Sequence, residues 1–162
     1  MANLCMAGLE KLKSAVLSSG NAALAEISTR DQRYWKPLDD RSVRIENVPA
    51  DLADQNRETI YPSVYLYSAR MDNSLRQKFN GFTGPVRFVI DIRCTAERFE
   101  GLEQELTSYV EAVTTGLAKN TGSWGENLIY SGAYTVKFDP IKQGGRNFIH
   151  SAKIELEAEA CG

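Results

Sequence analysis

The sequence predicts one α+β domain: a mostly antiparallel sheet packed against two amphipathic helices, in the order helix, two strands, helix, two strands. Three observations predict it. Apolar residues recur at helical spacing in two separate stretches, Leu4 to Leu17 and Phe99 to Leu117. Four other stretches alternate apolar and polar residues with the period of a strand. The four strands fall into two pairs with turn residues between the members of each pair, the pattern of hairpins. The length of 162 residues suits a single domain, which at this size buries about two-thirds of the surface of its unfolded chain.

In the first helix Leu4, Leu9, Leu12, Val16 and Leu17 form one face, with Lys11, Lys13 and Ser14 between them. The pattern predicts a helix from Asn3 to Ser18, stopped by Gly20, with a further short turn in "NAALAEI". From about 28 to 58 the periodicity breaks down and charges of both signs crowd the chain. Within this polar insertion "SVRIENV" alternates briefly as a short strand would. Structureless connections longer than roughly 12–15 residues are uncommon and are usually functional or disordered. Tyr34 and Trp35 lie inside it, where aromatics serve either as interface anchors or to fold the loop back on the body.

The first strand pair is "YPSVYLYSAR", with Val64 and Leu66 opposite Tyr65 and Tyr67, and "GPVRFVIDIRC". The second of these puts Val86, Phe88, Ile90, Ile92 and Cys94 on one face and Arg87, Val89, Asp91 and Arg93 on the other. Cys94 reads as buried filler. The segment "MDNSLRQKFNGFTG" between them is a long hairpin tip carrying Phe79 and Phe82. The second helix is the clearest: Phe99, Leu102, Leu106, Tyr109, Val110, Val113 and Leu117 step by threes and fours, with Thr95 as N-cap and Lys119 and Asn120 at the close. Gly101 and Gly116 lower its helix propensity and suggest close packing. The last pair, "ENLIYSGAYTVKFDP" and "FIHSAKIELEAEA", is joined by "IKQGGRN".

Little in the sequence suggests chemistry. A net charge of −2 argues against wrapping nucleic acid, which calls for a basic patch. Cys5, Cys94 and Cys161 are far apart, so neither a disulfide framework nor a zinc site is expected. The N-terminal stretch lacks the apolar run of a signal peptide, and no segment approaches the roughly 20 apolar residues of a membrane span. The expected setting is a reducing cytoplasm. "QGGRN" lacks the lysine and hydroxyl of a phosphate loop, and Asp39, Asp40 and Asp91 have no companions at metal spacing. No catalytic residue, cofactor or metal is expected. One enzymatic alternative is a small ribonuclease-like site using His150, Glu155 and Arg87 or Arg93; it would need a bulge, because His150 and Glu155 fall on opposite faces of a regular strand.

The order of elements resembles the tail terminator, or tail-completion, proteins of long-tailed bacteriophages. The features that carry the resemblance are the amphipathic "LEKLKSAVL", a long polar stretch ending in "YPSVYLY", the "GPVRFVIDIRC" strand, the "FEGLEQELTSYVEAV" helix and a terminal hairpin ending in "AKIELEAEA". The 28–58 segment is long for that family. The resemblance implies a non-enzymatic virion protein at the head-proximal end of the tail, assembled in the host cytoplasm. Such proteins form rings, commonly hexamers, that cap the tail tube, end its polymerisation and offer a head-joining surface. The implied partners are other copies of the chain, the tail tube protein and a head–tail connector; DNA passes through without specific binding, and no membrane is involved. Candidate ring or tube contacts are Tyr34, Trp35, Arg41, Arg44, Phe79 and Phe82. A neck or head-completion protein of the same kind of virion is the nearest alternative.

One feature separates from the rest. Glu155, Glu157 and Glu159 put three carboxylates in a row on the wet face of the last strand. Either basic groups such as Lys137, Arg87 or Arg93 lie beside them, or the row lines the hole of a ring and keeps phosphates off its wall.

Overall fold

The computed structural model of the chain describes residues 3–56, 58–74, 81–144 and 147–161. Its elements are α1 (Leu4–Ala15), a π-helical turn (Val16–Gly20), α2 (Asn21–Asp31), β1 (Val43–Arg44), α3 (Ala50–Gln55), β2 (Ser63–Met71), β3 (Gly84–Ala96), α4 (Leu102–Ala118), β4 (Gly122–Gly125), β5 (Leu128–Phe138), β6 (Lys142–Gly144) and β7 (Asn147–Ala160). The strands form one sheet in the order β1-β2-β3-β7-β5-β4, with β6 pairing to β7. Among the described residues only the β1–β2 pairing is parallel. The α+β class and the mostly antiparallel sheet are as the periodicity predicts.

The centre of the sheet is the β3–β7 ladder, which runs without a register shift from Gly84↔Ala160 to Ala96↔Phe148. Strand alternation then divides the residues between two faces. Val86, Phe88, Ile90, Ile92 and Cys94 of β3 lie with Ala152, Ile154, Leu156 and Ala158 of β7 on the face covered by helices, all at or near zero exposure. The helical layer seals this face from α4, through Leu102, Leu106, Tyr109, Val113 and Leu117, and from the N-terminal helix, through Leu9, Leu12, Val16 and Leu24.

Gly20 does not stop the first helix. The chain passes through one π-helical turn and continues in α2 to Asp31, where Gln32 takes a left-handed conformation (φ 51°). The reason is tertiary. A Cβ built on Gly116 of α4 would lie 2.9 Å from the Gly20 nitrogen and 3.2 Å from its Cα, so the two helices cross backbone to backbone. A glycine at that crossing acts as a packing surface, which local propensity cannot distinguish from a stop. Gly8 has the same role toward the sheet: a Cβ there would run into the Phe88 ring at 2.3 Å.

The polar insertion is more ordered than its composition suggests. Asn21 clasps it: Nδ2 donates to the Leu38 carbonyl (2.6 Å) and Oδ1 accepts from the Leu38 N–H (2.8 Å). Trp35 and Leu38 are buried, the Tyr109 hydroxyl donates to the Lys36 carbonyl (2.7 Å), and β1 then pairs beside β2 through Val43↔Val64. The segment is laid on the body by isolated anchors, which have no period to detect.

The start of α4 is also shifted. Thr95 is not its N-cap but a strand residue opposite Ile149; the ladder extends to Ala96 because β7 is long enough to pair with it. The helix begins at Leu102 behind Gly101 (φ 84°). Phe99 lies outside it, 55% exposed, edge-on to Phe148 at 5.8 Å. The strand β4 went unpredicted because "GSWG" carries only one apolar residue; Trp124 packs on Tyr130 and Phe88 at ring distances of 5.0 and 6.2 Å.

Two substitutions test this packing. Leu106→Ala, at a site with no exposure, should cost about 2–5 kcal/mol, and Gly116→Ala should cost about 1–3 kcal/mol by forcing the helices apart. Both are read from denaturant unfolding midpoints. An unchanged midpoint for Gly116→Ala would mean that the helices do not cross there.

Candidate assembly face of the sheet

The face of the sheet away from the helices carries the charged positions of β3 and β7. Across the strands, register rows there read Tyr65–Asp91–Lys153–Lys137, Tyr67–Val89–Glu155–Thr135 and Arg70–Arg87–Glu157. The glutamate row is therefore on this open face, and cations lie beside two of its members. Lys137 Nζ is 3.3 Å from Glu155 Oε1, and Arg87 Nη2 is 2.6 Å from Glu157 Oε1. The Glu157 carboxylate raises the Arg87 pKa above its ordinary value by hydrogen bonding. Glu159 stands opposite Pro85 and Ile129, with no ion pair among the described residues. All three glutamates line a depression of about 330 Å³ with Arg87, Ile129 and Tyr134. It opens where β5 bulges between Tyr130 and Tyr134, around Gly132 at φ 98°.

Farther along the same face Asp91 and Arg93 form a buried ion pair, Arg93 Nη2 to Asp91 Oδ2 at 2.9 Å, with side chains only 5% and 4% exposed. Arg93 also donates to the Val48 carbonyl, and its guanidinium lies over the Tyr65 ring at 4.3 Å. The segment 47–51 covers this pair. The sequence alternation placed both residues on the wet face; that part of the insertion folds over them could not be read from it.

Both sides of the sheet end in partly filled edges. Among the described residues β1 covers β2 only at Val64 and Tyr65, so the stretch from Leu66 to Met71 has no strand on its outer side. At the opposite side β4 covers β5 only from Leu128 to Tyr130, leaving Gly132–Phe138 uncovered. In that stretch Tyr134 and Phe138 point to the helix side, in rows with Leu156 and Ala152. They are nonetheless 44% and 49% exposed, because the helices do not reach that edge.

The predicted contact residues are scattered. Tyr34 is 78% exposed, and Arg41 and Arg44 are exposed, with Arg44 paired to Glu46 at 3.2 Å. Trp35 is a correction: it is a core residue, 5% exposed, edge-on to Tyr109 at 6.3 Å and capped by Arg33 at 4.6 Å. Its large apolar ring is better buried against α4 than offered to a partner. Phe82 is partly buried and packs on the core. Phe79 lies outside the described residues.

The ribonuclease-like trio is not assembled. His150 is 4% exposed on the helix side opposite Cys94, with Nδ1 3.4 Å from Glu103, whereas Glu155, Arg87 and Arg93 are on the other face. Burial pushes the Cys94 thiol well above its usual pKa, which leaves it a packing group. Among the described residues no group of three or more His, Cys, Asp or Glu side chains could hold a metal ion, and no helix is long and apolar enough to cross a membrane. No protein-family model matches the chain, and no curated protein matches it.

Two of the charge pairs on this face should behave differently. Arg87→Ala removes an exposed pair and should leave the unfolding midpoint within experimental scatter. Arg93→Ala leaves Asp91 buried without its cation and should cost about 3–5 kcal/mol. Equal effects in urea unfolding would contradict the burial of the second pair.

Proposed function

We propose that the chain is a tail terminator of a long-tailed bacteriophage, a protein that closes into a ring on the tail tube, ends its growth and presents a surface for joining the head. The observation that carries this reading is the pair of uncovered half-edges on opposite sides of one sheet. Because β2, β3, β7 and β5 alternate in direction, the uncovered part of β5 in one copy would meet the uncovered part of β2 in the next as an antiparallel neighbour. Two different patches that join head to tail give a heterologous interface, which closes into a ring when its rotation fits a cyclic symmetry. The apolar Tyr134 and Phe138 and the short cover at each edge support this, since an exposed strand edge is a template for pairing. The element order supports the family.

In such a ring the open face would be turned toward the passage for DNA. Glu155 and Glu157 are accounted for by their cation partners, so the repulsive role in the lumen narrows to Glu159. The exposed Tyr34, Arg41 and Arg44 are left as contacts to the tube or the connector.

Labelled protein in assembled tails, viewed by electron microscopy, should mark a single ring at the head-proximal end. Label repeating along the tube would overturn the reading. Tyr134→Lys together with Phe138→Lys, both at exposed positions, should leave the subunit folded with an unchanged circular dichroism spectrum and abolish the ring, because a charged edge resists strand addition. Rings formed normally by the double variant would mean that the subunits join elsewhere.

A further inference from the structure

We propose that the apolar strip left uncovered on the helix side of β5 is the seat for the first turn of α1 from a second copy of the chain, with Met6 and Met71 of one copy packed against Tyr134 and Phe138 of the next. The proposal rests on the ring reading above and names the side chains that join its subunits. Tyr134 and Phe138 stand in rows with Leu156 and Ala152, yet the described helices do not reach them and they are nearly half exposed. At the opposite edge of the sheet Met6 and Met71 are 40% and 43% exposed. Met71 pairs with Val86, so it too lies on the helix side. One chain therefore carries two exposed apolar patches, on the same face of one sheet and at opposite edges.

The placement of α1 decides what a second copy offers. Its first turn rests on the end of β2, with Cys5 Sγ 3.2 Å from Met71 Sδ. Gly8, one turn on, lies against the Phe88 ring, so the helix runs over β2 and β3. Lys13 reaches outward to Asp40 at 2.8 Å, in the turn that leads into β1 at the outer edge of the sheet. Met6 and Lys13 are separated by about two turns at 3.6 residues per turn and so share one side of the helix. Met6 is thereby turned toward the outer edge of β2, where among the described residues no strand covers Leu66–Met71.

Joining the two edges brings the patches together. Antiparallel pairing sets the Met71 end of one β2 beside the Gly132–Tyr134 end of the next copy's β5, and the Leu66 end beside Phe138. The short strands do not obstruct the join: β4 covers β5 only up to Tyr130 and β1 covers β2 only up to Tyr65, so they lie beyond its opposite ends. Strand alternation keeps the helix side continuous across the joint. The incoming α1 then completes the helical layer beside α4, over the strip that α4 leaves open. Methionine suits this seat, because its unbranched thioether adapts to irregular gaps and packs favourably against aromatic rings. A helix of some other protein could cover the strip, but a second copy also brings the strand that pairs with β5.

Hydrogen peroxide is the probe: it transfers one oxygen to a thioether sulfur and leaves as water, at a rate that follows exposure. Sulfoxide at Met6 and Met71 is read by mass spectrometry in the isolated subunit and in assembled tails. Both should oxidise readily in the subunit and about tenfold more slowly in tails. The partner is read by disulfide trapping in tails, in a chain carrying Cys5→Ser and Cys161→Ser. Met71→Cys with Tyr134→Cys should give a ladder of linked copies on oxidation. Met71→Cys with Thr135→Cys, the latter on the open face in the row of Glu155, should give little. The contact is overturned, and the ring left standing, if tails show a terminal ring in which Met6 and Met71 oxidise as fast as in the subunit. The same holds if the Thr135 pair links as well as the Tyr134 pair, or if Tyr134→Cys links to the tube protein instead. Absence of a terminal ring overturns the contact together with the reading on which it rests.

Discussion

The uninterrupted pairing of β3 with β7 is the constraint on which the rest of the fold depends. Side chains alternate across a strand, so a slip of one residue in this ladder would turn every apolar side chain from the helices to the solvent. With the register from Gly84↔Ala160 to Ala96↔Phe148, one face becomes the apolar bed on which α4 and the N-terminal helix lie. The other becomes the charged surface holding both the glutamate row and the Asp91–Arg93 pair. The helices are positioned by that bed: Gly8 lets α1 touch Phe88, and Gly20 with Gly116 lets the helices cross in contact.

The ladder also explains why the two charge groups on one surface differ in kind. Arg87 and Glu157 are nearly half exposed, where water already solvates both ions and pairing adds little. Asp91 and Arg93 sit under the 47–51 segment, where desolvation makes every unmade hydrogen bond costly. The same residue types on the same face therefore serve as a solvated pair at one end of the strand and as a buried pair at the other. The difference is made by a segment distant in sequence.

What the sequence discloses follows from where its signals are periodic. Faces of β2, β3, β5 and β7 were legible because each repeats the alternation over many residues, and α4 was legible from Leu102 to Leu117 for the same reason. The opposed faces of His150 and Glu155 followed from counting five positions. Signals that depend on a single partner were not legible. Gly20 looks like a stop until Gly116 is beside it, Trp35 looks like a loop aromatic until Tyr109 and Arg33 enclose it, and Thr95 looks like a cap until Ile149 pairs with it. Of the candidate site, the glutamate row and its partners Lys137 and Arg87 could be anticipated from strand pairing. The uncovered edges and the cover over Asp91 and Arg93 could not, because both depend on how far short strands and an irregular segment reach.

The proposed assembly through the two outer half-edges makes one direct demand on backbone hydrogen bonding. Amide hydrogen exchange, compared between the isolated subunit and the ring, measures it. Amides of β3 and β7 should exchange only through global unfolding in both states. Amides on the free sides of Gly132–Phe138 and Leu66–Met71 should exchange quickly in the subunit and become protected on assembly. Protection of those amides already in the isolated subunit, or no change between the two states, would contradict the assignment of the edges to assembly.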